Sequence, residues 1–312
     1  MHAVQEDNGE VRTLVPSATE ARGHLLDGLR RNASELVQQR VSRRTFDGKP
    51  LPRATRTTVN ARMARLPPAP FGTSVRFRLA TATEEDPRAL RGLGTYGFIL
   101  RPVAFLVGAV ARGPRGLEDY GFVLECAILH LTDLGLDSCW LGGSFQKSRF
   151  ARWMGVRSRE TVPAVVALGK AASAGRVERF IASRVKARSR LGWDEIFFDG
   201  AYGVPLHPHE AEAYALPLEL VRLAPSASNL QPWRIVREGR AWHVFLERTP
   251  GYKERWIKRL RGMADLQRID VGVAMCHFTL GASEAGLSGT WHLEPPAIDI
   301  PAGVEYVASW HP

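Results

Sequence analysis

An internal repeat constrains the fold of this chain more than any other feature of its sequence. Matching landmarks recur at a spacing of 151 residues: Asp119 and Asp270, Gly121 and Gly272, the Gly-Leu segments at 134–136 and 285–287, and Trp140 and Trp291. A Phe-Asp-Gly segment at 46–48 recurs at 198–200, a spacing of 152. Several independent landmarks at nearly one spacing indicate two similar structural units in one polypeptide.

The repeat also predicts how the chain is organised. Residues 117–134 show an apolar helical face, and residues 74–80 and 102–110 have the patterns of strands. We therefore predict an α+β fold made of two similar α/β halves, packed as a fused pseudo-dimer around long central helices. The expected units are a flexible leader at 1–24, a first half at 25–190 and a second half at 191–312.

The composition is that of a globular protein without a membrane segment. Of the 312 residues, 45% are hydrophobic and 24% are charged. The longest apolar stretch, residues 102–110, is too short to span a bilayer, and the first residues lack a signal-peptide pattern. The three cysteines form neither a metal-binding nor a disulfide pattern, which predicts reduced thiols and a cytoplasmic location.

The net charge of +10 raises the question of a nucleic-acid partner. The arginines, however, are spread along the whole chain, and no basic-aromatic pattern typical of nucleic-acid binding accompanies them. An anionic small ligand accounts for the basic clusters better. We expect neither nucleic acid nor a membrane as a partner.

Two pairs of arginines have a spacing suited to an anion. Arg40, Ser42 and Arg44 alternate in QRVSRRTF, so that in an extended segment two guanidiniums and a hydroxyl face the same way. Such a face can bind a phosphate bidentately. Arg188 and Arg190 repeat the spacing later in the chain. A solvated basic stretch remains the alternative for either pair alone.

Two loops have unusual composition. CWLGGSF at 139–145 contains Gly142 and Gly143, which would let a flat ligand approach the backbone closely, although a simple turn would look the same. LAPSASNLQPWR at 223–234 is too irregular for a strand and too interrupted for a helix. It is therefore predicted to be a shaped loop.

Other candidates favour structural roles. GLGTYG at 92–97 has the spelling of a dinucleotide fingerprint, but it precedes a strand instead of following one, which favours a turn. Glu125 in the 117–134 helix is expected on the helix surface rather than as a buried acid. His130 and His277 are expected in the core or at an interface.

Taken together, these segments resemble the nitroreductase family of FMN-dependent oxidoreductases. The segments that carry the resemblance are R-x-S-x-R-x-F at 40–46, LGLDSCWLGGSF at 134–145, VVALGK at 165–170, RSRLGWDEIFF at 188–198 and APSASNLQPW at 224–233. Within the family, the chain looks most like the subgroup in which one polypeptide contains both halves of the usual dimer.

The resemblance implies a set of FMN contacts. Arg40, Val41, Ser42 and Arg44 match the segment that binds the phosphate and ribityl chain, and Arg188 and Arg190 match a late basic pair. Leu141, Gly142 and Gly143 match the backbone that lies along the isoalloxazine and can donate to its N5. Pro225, Ser226, Ala227 and Asn229 match a loop that the other subunit contributes in ordinary family members.

The order of the motifs departs from that of the family. The P-S-x-x-N loop usually follows R-x-S-x-R by about 25 residues, but here it lies 185 residues later, and the expected place reads RLPPAPFGTS at 65–74. Shifting the phosphate segment by 152 residues reaches Gly192, Asp194 and Ile196, which include no cation. We therefore expect one FMN per chain, at the joint between the halves of a monomer.

The resemblance implies transfer of electrons from NADH or NADPH, through FMN, to a nitroaromatic, a quinone or a similar small-molecule acceptor. FMN would carry the redox chemistry, so no catalytic acid, base, nucleophile or metal ligand is assigned. Tyr96 is a candidate residue on the substrate side. The alternatives are another FMN enzyme of the same fold, such as a dehalogenase, a dehydrogenase or a flavin-modifying enzyme, and a non-catalytic protein that binds flavin or nucleic acid.

Overall fold

The chain folds into two five-stranded sheets and a central pair of long helices. The computed structural model describes residues 25–86, 88–172, 189–252 and 263–312, so the predicted leader at 1–24 lies outside the described residues. Mixed helices and sheets in this arrangement confirm the predicted α+β class.

The strands predicted at 74–80 and 102–110 and the helix predicted at 117–134 are all present. The α-helices are α1 (Ala33–Gln39), α2 (Arg53–Met63), α3 (Gly116–Asp133), α4 (Lys147–Met154), α5 (Trp193–Ile196), α6 (Ala215–Leu223) and α7 (Leu266–Glu284). The strands are β1 (Val75–Thr81), β2 (Ala104–Ala111), β3 (Asp137–Leu141), β4 (Glu160–Thr161), β5 (Val165–Gly169), β6 (Phe197–Asp199), β7 (Trp233–Glu238), β8 (Ala241–Glu247), β9 (Thr290–His292) and β10 (Val304–His311). A turn at residues 27–28 precedes α1.

Four strands of each sheet follow the same order, β1-β2-β5-β3 in the first sheet and β7-β8-β10-β9 in the second. The first runs β1-β2-β5-β3, with β4 pairing β2, and its main pairs are antiparallel. The second runs β6-β7-β8-β10-β9, and only β6 joins in parallel. Strand β2 reads AFLVGAVA and is buried at all but its last residue, because it is central in its sheet.

The two long helices, α3 and α7, pack against each other, and both are buried on nearly all sides. Gly121 of α3 and Gly272 of α7 permit the contact. A Cβ on Gly121 would lie 2.1 Å from the carbonyl oxygen of Ile269, and one on Gly272 would lie 2.0 Å from that of Glu118. Only glycine fits at either position, so the matched landmarks of the sequence mark the point where the helices touch.

The ends of the two long helices have the same geometry. Gly135 (φ 71°) and Gly286 (φ 72°) are both left-handed, which is the usual conformation after a helix C-terminus. Leu136 N donates to the carbonyl five residues earlier at 3.0 Å, and Leu287 N does the same at 2.8 Å. The Gly-Leu landmarks are therefore two copies of one helix stop.

The two Phe-Asp-Gly segments, in contrast, lie at different places. Phe46 bridges Ala171 and follows a segment that runs beside β3, whereas Phe198 belongs to β6 and pairs in parallel with β7. The first segment lies near the β3 edge of its sheet. The second lies beside β7, which occupies the place of β1 at the opposite edge. Interpreting Phe-Asp-Gly as part of the repeat was therefore wrong, although the other landmarks hold.

Candidate functional site

The predicted phosphate segment leaves the end of α1 as extended chain. Arg40 is the C-cap of that helix, and Ser42 then bridges Ser138 of β3 in parallel. Arg44 continues the segment, and its carbonyl accepts from Leu100 N at 2.8 Å. The pairing with β3 fixes the extended conformation that the alternating Arg-x-Ser-x-Arg pattern predicted.

Arg40 is held by a buried carboxylate. Its side chain is 6% exposed, and its Nε lies 3.6 Å from Oε1 of Glu125, which is fully buried in α3. That Nε has no hydrogen-bond partner among the described residues. At that nitrogen Arg40 is therefore paired with Glu125 by charge and not by a hydrogen bond. Neighbouring Val41, in contrast, is exposed.

Glu125 also joins the two long helices. Its Oε2 accepts from Trp140 Nε1 at 2.8 Å, and its Oε1 lies 3.2 Å from His277 Nε2 of α7. Burial disfavours the ionised carboxylate, but the hydrogen bond from His277 and the charge of Arg40 outweigh it, so the pKa of Glu125 is lowered. The expectation of a surface position for Glu125 was wrong.

His277 completes this buried cluster, as the expected interface histidine. Its Nδ1 lies 2.8 Å from the carbonyl oxygen of Leu220, so both ring nitrogens face oxygen acceptors. The cluster of Arg40, Glu125 and His277 therefore lies buried beside the phosphate segment.

Arg190 lies close enough to Arg40 to feel its charge and is hydrogen-bonded to Asn229 of the loop at 223–234. Its Nη1 donates to Asn229 Oδ1 at 3.0 Å, and its Nη2 donates to the carbonyl of Leu223 at 3.1 Å. Burial lowers the pKa of Arg190, and the nearby charges of Arg40 and Arg222 lower it further. The structure thus brings two of the predicted cations and Asn229 into one neighbourhood. Arg188 lies outside the described residues.

The late loop, which we call the PSASN loop (residues 225–229), has a strained backbone. Left-handed conformations are found at Ser228 (φ 55°) and Asn229 (φ 57°), and again just after the loop at Gln231 (φ 49°). Such conformations persist in non-glycine residues only where surrounding contacts enforce them. The loop is therefore shaped by its neighbours, as its composition predicted.

Side chains supply those enforcing contacts. Asn229 Nδ2 donates to the carbonyl of Ser189 at 2.9 Å. Gln231, which is 3% exposed, accepts from Leu191 N through its Oε1 at 3.0 Å, and its backbone N donates to Ser226 Oγ at 2.9 Å. Sequence reasoning did not assign Gln231 a role. The signal was present, because Gln231 belongs to the same short motif as Asn229.

Two buried carboxylates at matched positions hold the two corresponding loops. Asp270 Oδ1 accepts from Ala227 N of the PSASN loop at 3.0 Å. Its twin Asp119 accepts from the backbone N of Phe71 and of Thr73, both at 2.9 Å. Burial raises the pKa of Asp119, and raises that of Asp270 well above its usual value. Oδ2 of Asp270 has no hydrogen-bond partner among the described residues.

The glycine loop after β3 lies against the start of α7. Leu141 is the buried last residue of β3. A Cβ on Gly142 would lie 2.6 Å from the side chain of Leu266, and one on Gly143 would lie 2.5 Å from that of Met263. The two glycines therefore allow a close approach between elements that the repeat assigns to different halves.

Tyr96 lies in an exposed turn next to that loop. It has a left-handed backbone (φ 50°) and is 65% exposed. The turn is tied down because Gln146 N, just beyond the glycine loop, donates to the carbonyl of Gly94 at 3.0 Å. This position agrees with the expected turn at 92–97.

The described helices include none that is long and apolar enough to cross a membrane. The cysteines Cys126, Cys139 and Cys276 are buried and form no disulfide.

Comparison with known proteins supports the fold and the family. A family model described as "Putative TM nitroreductase" matches residues 32–282. The crystal structure of TM1586 from Thermotoga maritima MSB8 superposes with a TM-score of 0.57 at 17% identity, covering 90% of this chain and 93% of that chain. That likeness shows the fold. A search of curated protein sequences found no match.

Shorter nitroreductases align with only part of the chain. The FMN and NADPH-dependent nitroreductase NfnB from Sphigopyxis sp. strain HMH has 18% identity and a TM-score of 0.41, covering 53% of this chain and 97% of that one. A nitroreductase family protein from Clostridium difficile 630 has 15% identity and a TM-score of 0.37, covering 49% and 93%. Because the family model matches residues 32–282, which is most of this chain, the chain belongs to the nitroreductase family, in the group represented by TM1586.

Proposed function

We propose that this protein is an FMN-dependent oxidoreductase that passes electrons from NADH or NADPH to a nitroaromatic, a quinone or a similar small acceptor. Membership of the nitroreductase family supports the oxidoreductase class. The observation that carries the cofactor is the convergence of Arg40, Arg190 and Asn229, from distant parts of the sequence, beside the buried ion pair of Arg40 and Glu125. Those residues fit an anionic, phosphate-bearing cofactor.

The residues of this chain would bind and orient FMN. Arg40, Arg44 and Arg190 would offset the phosphate charge, and Glu125 would hold the guanidinium of Arg40 in place. The backbone of Gly142 and Gly143 would lie along the flat ring, while Leu266 and Met263 fill the places where their Cβ atoms would be. FMN, when bound, would supply the chemistry of accepting a hydride from nicotinamide and reducing an acceptor.

We further propose that the chain is a fused pseudo-dimer with a first half at 25–190, a second half at 191–312 and one FMN per chain. Residues 42–43 lie beside β3 of the first sheet, whereas no comparable segment beside β9 is present among the described residues. In the first half, the loop bonded to Asp119 lacks the P-S-x-x-N sequence. Each half would therefore contribute one part of a single FMN site. A cytoplasmic monomer would then contain the complete site.

Purified protein tests this proposal directly. We expect a yellow protein with the visible absorbance of oxidised flavin, one FMN per chain, and bleaching by NADH or NADPH without oxygen. A colourless protein that cannot be reconstituted with FMN would refute the cofactor, and two FMN per chain would refute the single site. Flavin that neither nucleotide reduces would favour another FMN enzyme or a passive binder, and salt-sensitive DNA retention without flavin would favour a nucleic-acid role.

A further inference from the structure

A cavity of about 500 Å³ lies between the first sheet and the segment that precedes α7. Its wall combines two cations, Arg112 and Lys147, with the apolar side chains of Val110 and Leu117. Such a wall is suited to an organic anion with an aromatic or apolar body, because it offers both charge and apolar area.

The cavity adjoins the glycine loop after β3. Met263 lines the cavity, and its Cε lies 2.5 Å from the position that a Cβ on Gly143 would occupy. Gly143 is one of the two glycines that would face the flavin ring. A molecule in the cavity would therefore lie next to the place where an electron donor or acceptor meets that ring.

The charges of the cavity wall favour an anion. Arg112 is near enough to Lys147 to lower the pKa of that ammonium, in addition to the larger effect of burial. Among the described residues that line the cavity, Asp265 is the only carboxylate. Its two oxygens accept from Arg248 Nη1 at 2.9 and 2.8 Å, so this carboxylate is engaged in an ion pair.

We propose that this cavity binds the anionic group of the molecule that exchanges electrons with the flavin, with Arg112 and Lys147 as its counter-ions. The inference rests on the proposed function for the identity of the reaction. The shared chemistry is an anionic group, a carboxylate or a phosphate, on a molecule that also carries an aromatic ring, and its source is either an aromatic acceptor or the dinucleotide donor.

Binding of matched probes tests the acceptor as the source. We expect 4-nitrobenzoate to bind FMN-loaded protein about tenfold more tightly than uncharged 4-nitrobenzyl alcohol, as measured by isothermal titration calorimetry. The double variant Arg112→Gln with Lys147→Gln should lose that preference and leave the affinity for the alcohol within about twofold. Arg152→Gln is the matched control, because Arg152 is an exposed cation on the same helix as Lys147 and does not line the cavity.

A second pair of probes tests the donor as the source. NAD⁺ and the phosphate-free nicotinamide riboside share the ring that would meet the flavin but differ in charge. If the donor supplies the anion, the double variant weakens binding of NAD⁺ about tenfold and leaves the riboside unchanged. The proposed site is supported if the double variant loses the preference for the charged probe in either pair and the Arg152→Gln control keeps it. Equal affinities within both pairs for the unaltered protein, or equal losses in the control, overturn it.

The same titrations separate this inference from the proposed function. Protein that takes up FMN and is reduced by NADH or NADPH, but shows no charge preference, refutes the cavity assignment alone. Protein that takes up no FMN refutes the proposed function, and this outcome is read from absorbance before any probe is added. A charge preference that depends on Arg112 and Lys147 in flavin-free protein would still show an anion site.

Discussion

Gly121 and Gly272 lie at the crossing point of the two long helices, each against a carbonyl of the opposite helix. The hypothetical Cβ atoms would lie 2.1 Å from the oxygen of Ile269 and 2.0 Å from that of Glu118. The two contacts are reciprocal, because the residue that each glycine touches lies three positions before the other glycine. The repeat in the sequence thus appears in space as a near-symmetric contact.

We predict that Gly121→Ala or Gly272→Ala destabilises the protein by at least about 3 kcal/mol, because the added methyl meets backbone that cannot move aside without separating the helices. Gly113→Ala is the control, since a Cβ there would have nothing within 4 Å, and its change should stay within about 0.5 kcal/mol. Denaturant unfolding measures both values. Similar stabilities for all three variants would contradict the crossing.

Replacement by asparagine should cost more stability at Asp119 than at its matched position Asp270. Both oxygens of Asp119 accept backbone N–H groups, so Asp119→Asn points an amide donor at a donor and should cost about 1–3 kcal/mol. Asp270 accepts through one oxygen only, so Asp270→Asn can keep that bond and should cost less than about 1 kcal/mol. Thermal or denaturant unfolding of the two variants checks the order, and a larger cost at Asp270 would reverse the interpretation.

The pKa of Asp270 predicts a pH dependence. Burial raises this pKa well above its usual value, so the native carboxyl keeps its proton while the unfolded chain releases it above about pH 3.9. Stability therefore falls as pH rises from that value until the folded pKa is passed. The Asp270→Asn variant should lack this part of the slope, whereas Asp299→Asn, at an exposed position, should retain it. Unfolding curves across pH 4–8 give the comparison, and unchanged slopes in both variants would count against a neutral Asp270.

The cluster at Arg40 separates flavin binding from folding. Arg40→Ala should weaken FMN binding at least about tenfold and also destabilise the fold by about 3 kcal/mol, because the buried Glu125 loses its guanidinium partner and keeps only Trp140 and His277. Adding Glu125→Gln should recover much of the stability but not the FMN affinity. Fluorescence titration with FMN and denaturant unfolding measure the two effects. The exposed Arg240→Ala is the control and should bind FMN normally; a double variant that regained full affinity would remove Arg40 from the phosphate site.

Local patterns in the sequence were enough for much of the fold. Alternating and helical patterns predicted β1, β2 and α3 to within about two residues, and the Gly-Leu segments gave both helix ends. The proline- and asparagine-rich composition predicted a shaped loop at 223–234. These features depend on backbone preferences within a few residues, which the sequence states directly.

Glu125 shows where such patterns are insufficient. A carboxylate within an apolar helix is normally expected on the solvent side, but here α7 covers that side and brings His277 to it. The two Phe-Asp-Gly segments show the same limit. Their identical sequences suggested equivalent positions, but the structure places them at opposite sheet edges. Neither outcome can be derived from neighbours along the chain, since both depend on which distant element packs there.

The sequence by itself indicated two similar units, predicted β1, β2 and α3 within the first of them, and identified residue types that could bind a phosphate. Tertiary structure alone decided that Arg40 rests on a buried Glu125, that Arg190 reaches Asn229, and that Asp270 holds the PSASN loop. The reason is physical. Burial and pairing of charges depend on the packing of α3 against α7, which joins residues about 150 positions apart through contacts that local preferences do not encode.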